Sequence, residues 1–354
     1  MSAADLAPWL ERTRIRASLQ PAHALLLHAA GALGQFDLAL ALAQGWLCES
    51  PVHGRACGAC AACRLFGQHS HPDLKVLLPE ALREPLGWAV PATDDGDEGT
   101  SKSKAKPSRE IRIDEVRAAI EWGQRTMSRG RAKVLLIHPA EAMNTSAANA
   151  LLKTLEEPPG ALRLVLTAHD PDMLLPTVRS RCQRIHIAMP TSLEALAWLN
   201  DQGVDEPQVL LSASGGLPQA AFALHAEGID AAAWRSVPAA ARRGGSTTLV
   251  GWPVPRLVDA LHRLCHDLMA TMAGGAPTFF EPGLLAPLVQ PRGPTMDALA
   301  QLDSELRRAS RQQDHPWHAG LRAEALLSRV AVLWQTPRDV PVGQGRPLDT
   351  LPGR

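Results

Sequence analysis

Four cysteines with short, regular spacing are the residues best suited to do chemistry. They follow one another as C-x8-C-x2-C-x2-C within "CESPVHGRACGACAAC", where Gly54 and Gly58 allow tight turns. Two residues between thiolates let the backbone direct both sulfur atoms at one ion, and four thiolates complete the closed tetrahedral shell of structural zinc. The sequence therefore predicts a zinc loop over residues 48–63. Its predicted ligands are Cys48, Cys57, Cys60 and Cys63.

Other uses of these cysteines fit the pattern less well. Two disulfides would need an oxidising compartment, and the chain shows no sign of entering one. A ferredoxin-type iron–sulfur run needs a further cysteine where this chain has glycine. His53, His69 and His71 could each replace a thiolate, although four cysteines already satisfy the ion. Cys182 and Cys265 stand alone and are expected to be buried as small apolar residues.

A short turn with two glycines follows the apolar segment "HALLLH", where a phosphate-binding loop would lie. A working loop reads G-x-x-x-x-G-K-[ST], with a lysine for the phosphates and a hydroxyl for magnesium. Here Ala29 stands at the first glycine and Gly34 at the second. Gln35 replaces the lysine and Phe36 replaces the hydroxyl. The pattern predicts a degenerate loop that binds no ATP.

The acidic residues that an ATPase of this architecture needs are missing as well. They would follow the strand pattern "VLLI", where the chain continues as "HPAEAMN". His138 and Pro139 occupy the acidic positions, and Glu141 is offset by two residues. Without the lysine, the hydroxyl and the acidic pair, the remaining groups cannot provide magnesium–triphosphate chemistry.

Charged residues gather in the segment beyond this point. Glu156 and Glu157 end a helical pattern, where the helix dipole disfavours anions, so they are either solvated or paired with a cation. Arg179, Arg181 and Arg184 follow in "TVRSRCQRI". These arginines form either a solvated basic face or a surface that faces the phosphates of DNA or of a nucleotide.

Alternating strands and helices are expected to position all of these residues. Apolar strand patterns cover residues 23–28, 74–78, 134–137, 162–167 and 184–187. Helical patterns between them cover residues 35–47, 113–125 and 145–156. Strands separated by helices predict an α/β fold in which a parallel sheet is covered by helices on both faces.

The remaining chain is predicted to be helical and to divide into domains. We expect an α/β domain at 1–188, a small helical domain at 189–235, a larger helical domain at 236–335 and a flexible tail at 336–354. The polar segment 88–110 is expected to be a disordered insertion. The last helical pattern carries a mostly apolar stripe of Leu321, Ala325, Leu326, Arg329, Val330 and Leu333.

Composition argues against several classes of protein. The 354 residues include 36 basic and 36 acidic side chains, so the net charge of zero does not indicate a strongly basic nucleic-acid binder. Aromatic residues are few and tyrosine is absent, which disfavours a base-stacking surface. No apolar run approaches the ~20 residues that cross a bilayer. The N-terminus lacks the features of a signal peptide, so a cytoplasmic location away from membranes is expected.

Several of these segments, taken in order and spacing, resemble one family. They are "HALLLHAAGALG", the four-cysteine loop, "HPD" at 71–73, "NALLKTLEEPP" and "RSRC". Together they resemble the delta-prime subunits of bacterial DNA polymerase III clamp loaders, which are AAA+ proteins. The resemblance is strong over residues 1–190 and is limited to the layout of helices beyond them. It implies an AAA+ domain with an inserted zinc loop, a helical lid domain, and a C-terminal helical collar through which five subunits assemble.

The resemblance also implies roles for particular residues. In this family ATP lies at subunit interfaces, and delta-prime binds none but presents the arginine of a Ser-Arg-Cys motif to its neighbour's ATP. The matching positions here are Ser180, Arg181 and Cys182, with Arg181 as the trans-acting arginine finger. Lids of this kind often carry a sensor arginine after a glycine-rich turn, where this chain has Pro218 and Gln219. This departure also fits a chain without bound nucleotide.

The implied function is to help load the sliding clamp onto primed DNA during replication. The implied partners are ATPase subunits of the tau/gamma type and a delta-type subunit, with the clamp and DNA contacted through the complex. One alternative is a catalytically active AAA+ ATPase subunit of the same complex, which would require the missing loop and acidic residues. Another is a zinc-dependent nucleic-acid-binding module, against which the zero net charge counts, with only Arg55 and Arg64 beside the cysteines.

Overall fold

A computed structural model describes residues 6–88, 107–129, 131–245, 247–289, 293–311 and 319–335. This part of the chain forms two compact units. The first comprises Met1–Trp198 with Leu217–Ala220, and the second comprises Leu199–Gly216 with Ala221–Arg354, each within the described ranges. Most of the predicted insertion at 88–110, and the whole predicted tail at 336–354, lie outside the described residues.

A five-stranded parallel sheet forms the centre of the first unit, in the order β2–β3–β4–β1–β5. The strands are β1 (Ala24–His28), β2 (Leu74–Leu77), β3 (Lys133–Ile137), β4 (Leu162–Ala168) and β5 (Gln183–His186). Each observed strand begins and ends within one residue of its predicted bounds. The predicted parallel sheet is therefore confirmed.

Eight helices belong wholly or mainly to the described part of this unit. They are α1 (Pro8–Ser18), α2 (Gln35–Leu47), α3 (Ala61–Gly67), α4 (Glu80–Arg83), α5 (Ile113–Gln124), α6 (Thr145–Glu156), α7 (Pro176–Arg179) and α8 (Ser192–Asp201). Short 3-10 helices occupy Ala140–Ala142 and Pro171–Met173. None of the helices in the described ranges is both long enough and apolar enough to cross a membrane.

Helices cover both faces of the sheet, as predicted. Alternate side chains of a strand point to opposite faces, so Leu25 and Leu27 join one core while Leu26 joins the other. The first core also contains apolar side chains of α1 and α2, and the second contains those of α5 and α6. Burial on both faces explains why these strands read as continuous apolar runs in the sequence.

Helices alone make up the described part of the second unit, apart from connecting segments. They are α9 (Pro207–Ala213), α10 (Pro218–Ala226, whose first residues belong to the first unit), α11 (Ala231–Arg243), α12 (Thr247–Val250), α13 (Val254–Met272), α14 (Pro282–Leu285), α15 (Met296–Arg311) and α16 (Ala319–Gln335). A 3-10 helix spans Ala286–Leu288. The division of this region into lid and collar stays a prediction.

The apolar stripe predicted for the last helix is wrong at three of its six residues, while Val330 is buried as predicted. Leu321 is 66% exposed, and Ala325 and Arg329 are exposed as well. The residues that are buried are Ala323, Leu327, Val330 and Ala331, of which only Val330 was predicted. Apolar residues occur on more than one face of this helix, so periodicity alone does not identify the face that meets a neighbour.

Candidate functional site

The four cysteines predicted as metal ligands come together where the chain passes from α2 into α3, with Cys63 in the first turn of α3. Their Sγ atoms all lie within 4.8 Å of one another. Those of Cys48 and Cys60 are 3.8 Å apart, and those of Cys57 and Cys63 are 4.0 Å apart. Four sulfur atoms around zinc, each about 2.3 Å from the ion, would be about 3.8 Å from one another. The predicted clustering is confirmed, and the donor set and spacing fit zinc.

The backbone directs these sulfur atoms inward. Cys48 caps the C-terminus of α2, and Cys60 caps the N-terminus of α3. The backbone N–H groups of the last three cysteines each donate to the sulfur of the preceding one, at 3.2, 3.4 and 3.4 Å. Hydrogen bonds from the backbone of Ala59 and Cys60 lower the pKa of Cys57 to about 6, whereas burial raises the pKa of Cys63. Such N–H donors favour the thiolate, which is the form that binds a metal.

The cysteine loop is held against the rest of the first unit by a close contact with α2 and by an ion pair. A Cβ atom on Gly45 would lie 2.3 Å from the carbonyl oxygen of Gly54, so only glycine allows α2 to pass the loop this closely. On the other side the carboxylate of Glu49 accepts from Nη2 of Arg129 at 2.7 Å. The backbone N–H of Arg129 in turn donates to the buried Asp73, which precedes β2, at 2.9 Å.

The loop before α2 is closed by Gln35, whose side chain is 3% exposed. Its Nε2 donates to the carbonyl oxygen of Gly31 at 2.6 Å, and its Oε1 accepts from the N–H of Leu33 at 2.9 Å. In a working phosphate loop, backbone N–H groups and a lysine point at the phosphates. Here the residue at the lysine position bonds to the loop itself and uses one of those N–H groups.

Apolar side chains of the same unit pack directly against this loop. A Cβ atom on Gly31 would lie 2.7 Å from Cδ1 of Leu217, and one on Gly34 would lie 2.6 Å from Cδ1 of Leu10. Both glycines have positive φ, at 80° and 87°, which other residues rarely adopt. The space over the loop is thus occupied by leucine methyl groups.

Aromatic rings occupy the positions where a magnesium ion would need a hydroxyl and a carboxylate. Phe36 is 7% exposed, and its ring centroid lies 4.6 Å from that of His138 and 6.4 Å from that of Trp88. Burial lowers the pKa of His138 to about 4, and its Nδ1 lies 2.6 Å from Oγ1 of Thr167. A neutral imidazole therefore fills the site of the first acid.

Glu141, the acid that the sequence places near this position, binds backbone N–H groups at the end of β4. Its Oε1 accepts from the backbone N–H groups of His169 and Asp170, at 2.5 and 3.0 Å. These two residues directly follow β4. The carboxylate therefore holds the end of a strand.

Arg181 lies at the surface, in the turn between α7 and β5, with its side chain 32% exposed. Its Nε donates to Oε1 of Glu156 at 2.5 Å, and its Nη1 donates to the carbonyl oxygen of Thr177 at 2.9 Å. The hydroxyl of Ser180 donates to the same carbonyl at 3.2 Å. The sequence allowed Glu156 to be either solvated or paired with a cation, and the structure shows it paired with Arg181.

The other residues of this segment are placed differently from one another. Arg179 ends α7 and pairs with Asp172, whereas Arg184 is exposed on β5. Arg179 and Arg181 therefore pair with different acids. Cys182 is 8% exposed in the core, and burial raises its pKa to about 12. With Cys265 2% exposed, the predicted burial of both lone cysteines is confirmed.

Comparison with known proteins gives a match to the family described as "DNA polymerase III, delta subunit" over residues 12–191. The DNA polymerase III subunit delta' of Escherichia coli is 32% identical to this chain over 279 residues, which cover 72% of this chain and 76% of that protein. The chain belongs to the delta-prime family of DNA polymerase III subunits.

Two further relatives and one solved structure are similar to this chain. The subunit delta' of Pseudomonas aeruginosa is 38% identical over 232 residues, covering 64% of this chain and 63% of that relative, which is less than two thirds of its length. The subunit tau of Escherichia coli is 31% identical over 165 residues, covering 47% of this chain and 21% of that protein. A solved gamma subunit-related protein from Thermotoga maritima aligns over 92% of this chain and 99% of its own, with 15% identity and a TM-score of 0.46.

Three contacts in this delta-prime family member were not predicted from the sequence. They are the closure of the loop by Gln35, the packing of Leu217 on Gly31, and the ion pair of Glu156 with Arg181. Only the ion pair had a signal in the sequence, because a glutamate at a helix C-terminus is disfavoured by the helix dipole unless a cation lies nearby. The other two depend on side-chain directions that the sequence pattern does not contain.

Proposed function

We propose that this chain is the clamp-loader subunit that binds no ATP itself and supplies Arg181 to the ATP site of a neighbouring ATPase subunit. In this role it helps to load the sliding clamp onto primed DNA. The absence of ATP binding rests on the loop closed by Gln35. The side-chain amide of Gln35 binds Gly31 and Leu33, where phosphate oxygens would otherwise bind. Membership of the delta-prime family supports the role of Arg181 at the neighbouring subunit's ATP site.

The absence of ATP binding follows from the combined changes at the loop. A lysine, a hydroxyl and an acidic pair act together on the triphosphate and its magnesium ion. The lysine position is held by Gln35, and the positions of the hydroxyl and the first acid are held by the buried rings of Phe36 and His138. The same observations argue against an active ATPase.

The half-buried position of Arg181, with one third of its side chain at the surface, suits a role between subunits. A guanidinium is always charged and presents a planar fork of N–H donors that matches phosphate oxygens. An arginine delivered in trans to a nucleotide is worth about 10³–10⁵ in rate in well-studied cases. In this proposal Ser180 and Cys182 fix the backbone around the finger, because the first bonds to the preceding turn and the second is buried in the core.

Zinc has a structural role in this proposal. Cys48, Cys57, Cys60 and Cys63 would hold the ion, and the closed set of four thiolates leaves it no open position for catalysis. A role as a nucleic-acid reader is less well supported. Arg64 donates to the carbonyl oxygen of Ala59 at 2.6 Å, and Arg55 lies 3.7 Å from the carboxylate of Glu11, so both nearby arginines bind within the chain.

The remaining assignments follow from the family. We assign residues 1–188 to the AAA+ domain, 189–235 to the lid and 236–335 to the collar. The partners are tau/gamma-type and delta-type clamp-loader subunits, and through them the sliding clamp and primed DNA. We place the complex in the cytoplasm.

Two measurements test this function. Equilibrium titration of the isolated chain with a fluorescent ATP analogue should show no saturable binding, with the partner ATPase subunit as the positive control. In a complex reassembled from all its subunits, omission of this chain should abolish clamp loading, and Arg181→Ala should lower the clamp- and DNA-stimulated ATPase. Magnesium-dependent micromolar binding by the isolated chain would contradict the absence of ATP binding, and an unchanged ATPase would contradict the role of Arg181.

A further inference from the structure

The ion pair between Glu156 and Arg181 fixes one edge of the guanidinium. Oε1 of Glu156 accepts from Nε at 2.5 Å and also contacts Nη2. On the far side, Nη1 donates to the carbonyl oxygen of Thr177. A guanidinium carries five N–H groups. Nη1 also lies 3.5 Å from Oγ of Ser180. Nη2 therefore keeps one N–H group for an outside acceptor such as a phosphate oxygen.

Both ends of this ion pair are attached to rigid parts of the fold. Glu156 is the last residue of α6, and Pro158 stops the helix from continuing. Arg181 follows α7, whose Val178 is fully buried in the same core as Leu155 of α6. The distance between the two backbones is therefore set by packing, so the carboxylate can hold the guanidinium in one place.

The position of Glu156 makes no contribution to the stability of its own helix. A carboxylate at the C-terminus of a helix is disfavoured by the helix dipole. An exposed ion pair offsets this by a similar amount at most. Stability thus does not explain a glutamate at this position, whereas a role in orienting Arg181 does.

We propose that Glu156 is a positioning residue for Arg181, which holds the guanidinium in the orientation that meets the neighbouring subunit's nucleotide. The proposal rests on the function proposed above for Arg181. Glu156 itself touches no phosphate, since its carboxylate would repel one. The opposite role, a latch that keeps Arg181 away from the nucleotide until assembly, predicts a faster reaction when Glu156 is removed.

The test uses the reassembled clamp loader with clamp, primed DNA and varied ATP. Glu156→Ala should lower kcat of the ATPase by about three- to tenfold, within the range of couplings between residues in contact. The KM for ATP should stay unchanged, because the residue does not touch the nucleotide. Glu156→Gln keeps an oxygen for the Nε–H group and should recover most of the rate. Combined with Arg181→Ala, Glu156→Ala should cause no additional loss, because it acts only through that arginine.

The matched control is Glu157→Ala, which removes the exposed glutamate next in sequence and should leave kcat unchanged. The melting temperatures of the variants should match that of the parent chain, since exposed ion pairs contribute little to stability. If Arg181→Ala lowers the rate while Glu156→Ala leaves it unchanged or raises it, the positioning role is overturned and the finger stands. If Arg181→Ala itself has no effect, both proposals fail.

Discussion

The side-chain amide nitrogen of Gln35 lies 2.6 Å from the carbonyl oxygen of Gly31, so the residue at the lysine position of the phosphate-loop pattern closes the loop on itself. A second bond from the N–H of Leu33 to the same side chain completes this closure. The side chain at this position thus holds the loop in its observed shape.

Replacing Gln35 should destabilise the fold, because its side chain bonds to the loop before α2. In Gln35→Ala the buried N–H of Leu33 and the half-buried carbonyl of Gly31 lose their partner. Leaving a buried polar group without a partner costs about 1–3 kcal/mol. Denaturant unfolding measures the free energy of unfolding. Gln208→Ala, at an exposed glutamine of the second unit, should change it little. Equal stability of Gln35→Ala and the parent would show that the loop does not need this closure.

Metal analysis tests the cysteine loop. Protein purified without added metal should contain about one zinc per chain, and Cys60→Ser should lower that content, because the set of four thiolates would be broken. Cys265→Ala removes a cysteine that is buried in α13 and should retain the zinc. Unchanged zinc content in Cys60→Ser would count against the assigned ligands.

The elements that the sequence predicts best are those whose signal is local. The strands of the sheet were predicted to within one residue because burial on both faces turns each into a short apolar run. The four cysteines were predicted to meet because only a few residues separate them in the chain. Both features are decided by residues close together in the chain.

Contacts between distant segments could not be predicted in the same way. Leu217 reaches Gly31, and Glu156 reaches Arg181, across long stretches of sequence. The buried face of α16 was predicted only in part for a related reason. Leu321 and Leu327 are both apolar, and only the neighbouring helices decide which is covered. Such choices depend on packing, which a periodic pattern does not contain.

His138 makes the free energy of unfolding depend on pH. Its pKa is lowered from 6.5 to about 4 by burial, so between these values the unfolded chain binds a proton that the folded chain does not. The free energy of unfolding should therefore fall as the pH falls through this window, by up to about 3 kcal/mol from this residue.

The measurement is denaturant unfolding at pH 7 and at pH 4.5, for the parent and for His138→Asn. The variant should lose less stability between the two pH values than the parent. His225→Asn, at a half-buried histidine of the second unit, serves as the matched control and should lose as much as the parent. Parallel pH curves for the parent and His138→Asn would refute the assignment.

The last prediction separates a directed arginine from a basic surface. Arg181→Lys keeps the positive charge but replaces the planar fork by a point charge, so it should restore only part of the ATPase that Arg181→Ala removes from the assembled complex. Arg179→Ala and Arg184→Ala remove the same charge from neighbouring positions, one paired with Asp172 and one exposed on β5. A general phosphate-binding patch would make all three alanine variants weaken clamp loading alike, and more strongly at raised salt. A finger at Arg181 instead predicts that only its own variants lower the rate at every salt concentration, since a single contact at one nucleotide releases few counterions.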